Sequence, residues 1–285
     1  MQFLTRQHTG WDEPCVVSDG LVYGLRAAGF DDLVSIIAGG EEALTRVRRF
    51  LARCTAVEKL DLDTMVLCAP VPKPGKIICI GLNYRDHAAE AKMALPEVPT
   101  VFSKYGNTVT GHRQPIVLPR NSEKPDYEAE FAVVVGAGGR HIKAENWRDH
   151  VFGYTIVNDV SARDFQMQTS QWTMGKTFDT FAPMGPMVTT ADEIEDPHAL
   201  AISLTINGET MQDSNTSNLV FGVPQLIAFL SSVMTLSPGD IISTGTPAGV
   251  GFAHKPPRWL KAGDEVAIEI AGLGRLVNPV IAEAC

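Results

Sequence analysis

The sequence predicts an α+β protein whose larger part is β-rich, and three observations carry that expectation. Beyond residue 76 most apolar residues fall in short runs bounded by Gly, Asn, Asp or Pro, namely KIICIG, EFAVVVG, VFGYTIV, ALAISLTING, DIISTG and EVAIEIAG. In that part of the chain only Arg85 to Met93 and Val223 to Val233 space their apolar residues for helices. Ahead of it, strand-like CVVSDGLVYGL precedes the helix-patterned DDLVSIIAGGEEALTRVRRFLARC, which makes a small N-terminal α+β segment. The stretch APVPKPGK packs three prolines and a glycine between apolar runs and reads as a linker. The expected division is therefore 1–70 for the small N-terminal domain and 71–285 for the main one.

Composition narrows the function. With 285 residues, 45% hydrophobic and 20% charged, the chain has ordinary globular usage and enough length for a substantial core. A net charge of −9, with no Lys/Arg stripe interleaved with aromatics, argues against nucleic acid as a partner. The five cysteines, at 15, 54, 68, 79 and 285, form no C-x-x-C pair, so neither a disulfide framework nor a zinc site is indicated. No run approaches the ~18 apolar residues of a membrane span, so no membrane partner is expected. The start MQFLTRQHTGWDEP lacks an apolar signal core, which leads to the expectation of a cytoplasmic protein.

The segment DYEAEFAVVVG carries the first chemical signal. Alternate residues of a strand share a face, so Glu128 and Glu130 point the same way at one end of an apolar strand. Like charges there repel, and either solvation at the strand end or a cation between them relieves the conflict. A second apolar strand, VFGYTIV, ends abruptly in Asn158 and Asp159. Asn and Asp often end strands through Asx turns, and a third carboxylate at a strand end equally builds an all-oxygen site. Such a site suits Mg²⁺, Mn²⁺ or Ca²⁺ rather than zinc or copper.

In GLNYRDHAAEAKM, with Asn83 or Asp86 as helix cap, His87 and Glu90 stand three residues apart on one helical face. A carboxylate beside an imidazole makes a surface contact or orients the ring as a proton acceptor for water. Lys176 is the only cation in QWTMGKTFDTFAPMGP, either solvated or placed to meet developing negative charge. The loop STGTPAGVG, with Gly245, Gly249, Gly251 and the hydroxyls of Thr244 and Thr246, reads as a tight turn or as a carboxylate-binding set of amides and hydroxyls.

Taken in order, GLNYRDHAAE, DYEAEFAVVVG, NDVSARDFQ, GKTFDTFAPMGP, NGETMQDSNT, PGDIISTGTPAGVG and LKAGDEV closely resemble the fumarylacetoacetate hydrolase family over about residues 71 to 280. The resemblance implies a mixed β-sandwich roll for the main domain and a homodimer. It implies Mg²⁺ or Mn²⁺ on Glu128, Glu130 and Asp159, a catalytic set of His87, Glu90 and Lys176, and a lid formed by the His87 segment. It further implies substrate contacts from Arg163, Gln166, Gly245 and Thr246. A fourth carboxylate ligand known in some members is not assigned, although Asp126 is nearby.

A small 2-oxo acid chelates a divalent ion through its carboxylate and keto oxygens, which fixes its orientation and stabilises negative charge on the keto oxygen. Three reactions share that enolate: hydrolysis of a carbon–carbon bond in 2,4-dioxo acids, with water activated by His87 and Glu90; tautomerisation of oxaloacetate; and its decarboxylation. The leading expectation is the hydrolase, acting on acylpyruvate-like or diketo sugar acids. Oxaloacetate tautomerase or decarboxylase comes second, and a noncatalytic 2-oxo-acid binding protein third.

Overall fold

The strand-forming runs pair largely as their composition dictates. In the computed structural model, which describes residues 1–284, the N-terminal segment supplies β1 (Gln2–His8), β2 (Trp11–Ser18), β3 (Leu21–Gly24), α1 (Leu33–Leu51) and the short β4 (Glu58–Lys59). The first half of the main domain then runs β5 (Ile77–Gly81), α2 (Arg85–Glu90), β6 (Thr100–Lys104), β7 (Val109–Thr110), β8 (Ile116–Leu118), β9 (Pro125–Asp126), β10 (Ala129–Val135), β11 (Val151–Asn158) and β12 (Ser161–Ala162). The second half holds α3 (Arg163–Gln166), α4 (Thr173–Lys176), β13 (Ala182–Thr190), β14 (Ala201–Ile206), β15 (Glu209–Asn215), α5 (Val223–Val233), β16 (Ile241–Ser243), β17 (Glu265–Ile270) and β18 (Gly274–Ala282).

Two mixed sheets result, as the resemblance implies. The larger is ordered β4-β3-β2-β1-β13-β11-β10-β16-β5-β6 with β7 against β13, and the smaller β15-β14-β17-β18-β8. Their facing sides share one apolar core, in which Phe131, Val133, Tyr154 and Ile156 meet Leu204, Ile206, Val266 and Ile268. On the other side of the large sheet, Leu33, Ile36, Ile37 and Val47 of α1 cover Ala132, Val134, Val157 and Ile241. With both faces covered, β10 and β11 are buried along their whole length and apolar along most of it. Period-2 alternation along β10 sends Phe131 and Val133 one way and Ala132 and Val134 the other, and Glu128 and Glu130 share the parity of the second pair.

Several local expectations need correction. The first helix is held by its Asp32 cap, whose carboxylate accepts from the Ser35 amide at 2.7 Å, but it breaks at Gly40, where φ is 53°. The second is shorter than expected, because Lys92 takes a left-handed φ of 54° and ends it. Neither predicted side chain caps α2. Tyr84 holds that position without a side-chain bond, while the Asn83 amide reaches the carbonyls of Phe221 (3.0 Å) and Thr244 (2.8 Å). Cys15, Cys54, Cys68 and Cys79 are free thiols, as their spacing predicts, and Cys285 lies outside the described residues. Among the described residues no helix is long and apolar enough to cross a membrane.

The N-terminal segment extends the main sheet, with β1 antiparallel to β13 through Gln2↔Thr189 and Phe3↔Val188. Gly111 marks where the two parts press together, since a Cβ there would run into the backbone of Leu67, Cys68 and Ala69. Gly111→Ala is expected to cost about 1–3 kcal/mol of stability, visible as a lower Tm with metal affinity unchanged.

Candidate metal centre and its cavity

The ends of β10 and β11 bring the three predicted carboxylates together. The backbone amide of Asp159 donates to the Glu128 carbonyl at 2.9 Å, which locks the turn after β11 onto the entry to β10. Glu128, Glu130 and Asp159 each offer an oxygen within 4.8 Å of the others, and all three are buried.

Their surroundings differ. Asp159 is gripped by two buried lysines, with Lys104 Nζ 2.6 Å from Oδ1 and Lys176 Nζ 2.7 Å from Oδ2. Lys176 also reaches Glu128 Oε2 at 2.7 Å, and Arg163 reaches Glu128 Oε1 at 2.7 Å. Burial raises the Glu128 carboxyl, but Lys176 and Arg163 outweigh burial and hold it at about 2. Glu130 has no cation beside it. Its Oε2 accepts from the Ser243 hydroxyl (2.6 Å) and the Gly245 amide (2.9 Å), and among the described residues no donor reaches its Oε1. Burial, then Asp159, then Glu128 push this carboxyl well above the usual range.

That asymmetry fits a divalent cation. Asp126, Glu128, Glu130 and Asp159 are four buried carboxylates against three buried cations, Lys104, Arg163 and Lys176, so ionising all four leaves one negative charge uncompensated. A dication among the three predicted ligands would turn the local sum positive, the sign that an anionic substrate requires of a protein with a net charge of −9. The all-oxygen donor set matches Mg²⁺ or Mn²⁺. Because its folded pKa is raised, Glu130 stabilises the metal-free fold at low pH and loses that contribution as pH rises past 4.5, the ordinary value for this carboxyl. A bound cation must displace the Glu130 proton. The rise in Tm on adding Mn²⁺ is therefore expected to be larger at pH 8 than at pH 5, which scanning calorimetry checks.

A cavity of about 690 Å³ opens over this cluster and is lined by His87, Glu128, Glu130, Arg163, Gln166, Lys176 and Thr246. Its outer wall is largely apolar, with Met93, Phe102, Trp172, Phe252 and Trp259. The helix α2 is seated against it, with His87 Nδ1 3.3 Å from Glu90 Oε2. Burial raises the Glu90 carboxyl, but the hydrogen bonds from His87 and the Gly249 amide and the nearby His254 together bring it below its ordinary value.

One site expectation changes. Gly245 does not offer its amide to the cavity, because that N–H is engaged by Glu130, whereas Thr246 does line the cavity with its hydroxyl accepting from Gln212 Nε2 at 2.9 Å. Asp126, which the sequence left unassigned, accepts from Arg163 Nε (2.8 Å) and from the amides of Gly251 (2.7 Å) and Phe252 (3.1 Å). Sequence reasoning missed Lys104, Ser243 and Gln212. Lys104 closes an ordinary strand, TVFSK, and nothing in that run marks its ammonium as buried.

Comparison with known proteins places the chain. A family model described as fumarylacetoacetate (FAA) hydrolase C-terminal matches residues 76–281, and the chain belongs to the fumarylacetoacetate hydrolase family of enzymes. The curated relatives include oxaloacetate tautomerase Fahd2a, mitochondrial, of Rattus norvegicus, 47% identical over 250 residues that span 87% of this chain and 79% of that one. Oxaloacetate tautomerase FAHD2A, mitochondrial, of Homo sapiens is 45% identical over 251 residues, with the same coverage. Among solved structures, maleylpyruvate hydrolase from Sphingobium sp. SYK-6 in complex with manganese(II) ion and pyruvate superposes with a TM-score of 0.84 at 31% identity, covering 100% of both chains.

The names of the relatives overturn the expected cytoplasmic address, since they are mitochondrial. Mitochondrial transit segments are amphipathic and Arg-rich, so a missing apolar signal core says nothing against a mitochondrial address.

Proposed function

We propose that this chain tautomerises oxaloacetate, interconverting its keto and enol forms at a site where Glu128, Glu130 and Asp159 hold Mg²⁺ or Mn²⁺. The observation that carries the reading is the placement of the carboxylate cluster, Lys176 and the His87–Glu90 pair on one cavity. The comparisons reverse the order expected from sequence, because relatives at 45–47% identity are named oxaloacetate tautomerases.

A bound dication supplies a Lewis acid for the oxygens of the 2-oxo acid. The side chains account for the rest. Lys176, whose carboxylate partners raise its pKa above the lysine range, stays protonated and faces negative charge gathering on the C2 oxygen. His87 bonds Glu90 through Nδ1, which leaves Nε2 to take the C3 proton and deliver it to the C2 oxygen as the enol forms, and to carry it from that oxygen back to C3 in the reverse direction. Arg163 is committed to Asp126, Glu128 and Gln166, so it shapes the wall and contacts substrate only with its remaining surface. Thr246 receives the substrate carboxylate.

Hydrolysis of a 2,4-dioxo acid is the second reading, favoured by the apolar outer wall, which has room for a substituent larger than the distal carboxylate of oxaloacetate. Assays of enol-oxaloacetate conversion, acylpyruvate loss and pyruvate release from oxaloacetate, each with Mg²⁺ and with chelator, separate the activities. Metal-dependent conversion of the enol as the fastest reaction is the expected result. Acylpyruvate loss without enol conversion would replace the tautomerase reading by the hydrolase one.

We also propose that residues 1–70 form a small N-terminal domain and 71–285 the catalytic one, a division supported by the family match starting at residue 76. A homodimer joined along β6 is proposed as well, since that strand ends the large sheet and Val101 and Tyr105 are exposed there. Val101→Lys is expected to give monomers in light scattering.

A further inference from the structure

Three successive residues before β10 bond in three directions. Glu128 faces the cation cluster, Asp126 holds the amides of Gly251 and Phe252, and the buried Tyr127 donates its hydroxyl to the Gly249 carbonyl at 3.1 Å. His254 Nε2 lies 3.1 Å from that same carbonyl and donates to it in the Nε2-protonated tautomer. Gly249 has φ +98°, and a Cβ there would meet the Met211 carbonyl, so only glycine fits. Its amide faces the lid and donates to Glu90 Oε1 at 3.0 Å, while Glu90 Oε2 faces His87 Nδ1. Phe252, the next link of the loop, sets its ring edge to face with His87 at 6.3 Å and lies beneath the Arg163 guanidinium at 4.8 Å.

We propose that Tyr127 and His254 are positioning residues that fix the tautomer of His87 through Gly249 and Glu90. Glycine has the widest backbone freedom of any residue, so an unheld Gly249 would swing its amide away from Glu90. Two donors on its carbonyl remove that freedom and keep the amide aimed at the lid. Glu90, so seated, accepts from Nδ1–H of His87, and the lone pair is left on Nε2. Because Tyr127 adjoins Glu128, the two-residue link between β9 and β10 sets both the cation site and the orientation of the imidazole. The lid is thus registered against the metal ligands rather than against solvent. The catalytic consequence rests on His87 being the proton-transfer group; the tautomer consequence does not.

Tyr127→Phe removes one hydroxyl from a buried ring and tests the proposal in the metal-loaded protein. The ring-nitrogen ¹⁵N shifts of His87, assigned by comparison with His87→Gln, are expected to report one Nδ1-protonated tautomer in the wild type and a mixture in the variant. Turnover is expected to fall about tenfold, the lower end for lost outer-shell partners, with KM and Mn²⁺ affinity within twofold. In a Glu90→Gln background the same change should add nothing, because the chain is already cut. Unchanged His87 shifts and turnover in Tyr127→Phe, even with a lower Tm, would overturn the proposal and leave the hydroxyl a packing contact. A shifted tautomer with full turnover in both Tyr127→Phe and His87→Gln would instead support the positioning role and overturn His87 as the proton-transfer group.

Discussion

Asp159→Asn is expected to lose divalent-cation binding and to destabilise the metal-free fold, whereas Glu130→Gln is expected to lose only the cation. The contrast follows from their partners. Asp159 neutralises two buried ammonium groups, Lys104 and Lys176. Removing its charge leaves the Lys104 ammonium buried with no carboxylate partner and Lys176 with Glu128 alone, which costs about 3–5 kcal/mol. Glu130 is held by Ser243 and Gly245 and faces two other carboxylates, so a neutral amide there relieves repulsion and the metal-free protein keeps or gains stability. In both variants the affinity for Mn²⁺ should fall at least by the ~10–100-fold that even outer-shell losses cost. Calorimetric titration with Mn²⁺ and the Tm of the chelator-treated proteins check the two halves separately. Equal Tm losses in both variants would contradict the assigned charge pattern.

His87→Ala carries the second large expected effect. Turnover should fall about 10²-fold or more, while Mn²⁺ affinity and Tm stay close to wild type, because the imidazole touches the cavity and Glu90 but no member of the carboxylate cluster. A noncatalytic 2-oxo-acid binding protein would show no such loss of turnover, and ligand affinity would be nearly unchanged. Full turnover in the variant would remove His87 from the proposed proton-transfer role and leave α2 a structural element.

What could be read in the sequence follows from how local the causes are. The strands at Ile77–Gly81, Ala129–Val135 and Val151–Asn158 are legible because both faces of the sheet are covered, so their runs are mostly apolar, and the helix at Val223–Val233 because its apolar residues recur at helical spacing. The strand β13 is not. Its sequence, APMGPMVTT, holds Pro183 and Pro186, which signal loop, yet it lies between β1 and β11, where a register irregularity near Tyr154 and Ile156 accommodates it.

The same division runs through the site. Glu128, Glu130 and Asp159 stand at the ends of recognisable strands, and the family motifs turn an ambiguous pair of strand ends into a ligand set. Lys104 and Ser243 reach that set from β6 and β16, strands distant in the chain, and a lysine that ends an unremarkable run carries no mark of being buried. Gly245 and Gly249 show the reverse case. A Gly-rich loop signals available amides, but which acceptor each amide meets depends on the fold, and here the acceptors are Glu130 and Glu90 rather than a substrate.

Glu128, Glu130 and Asp159 are proposed to share one divalent cation beneath the cavity. Crystals grown with Mn²⁺ and pyruvate, with anomalous data collected at the manganese edge, test it most directly. The predicted result is a single anomalous peak about 2.0–2.2 Å from one oxygen of each of the three carboxylates, with pyruvate beside Lys176 and Thr246. A peak elsewhere, or pyruvate bound in the cavity with no peak among the three carboxylates, would contradict it.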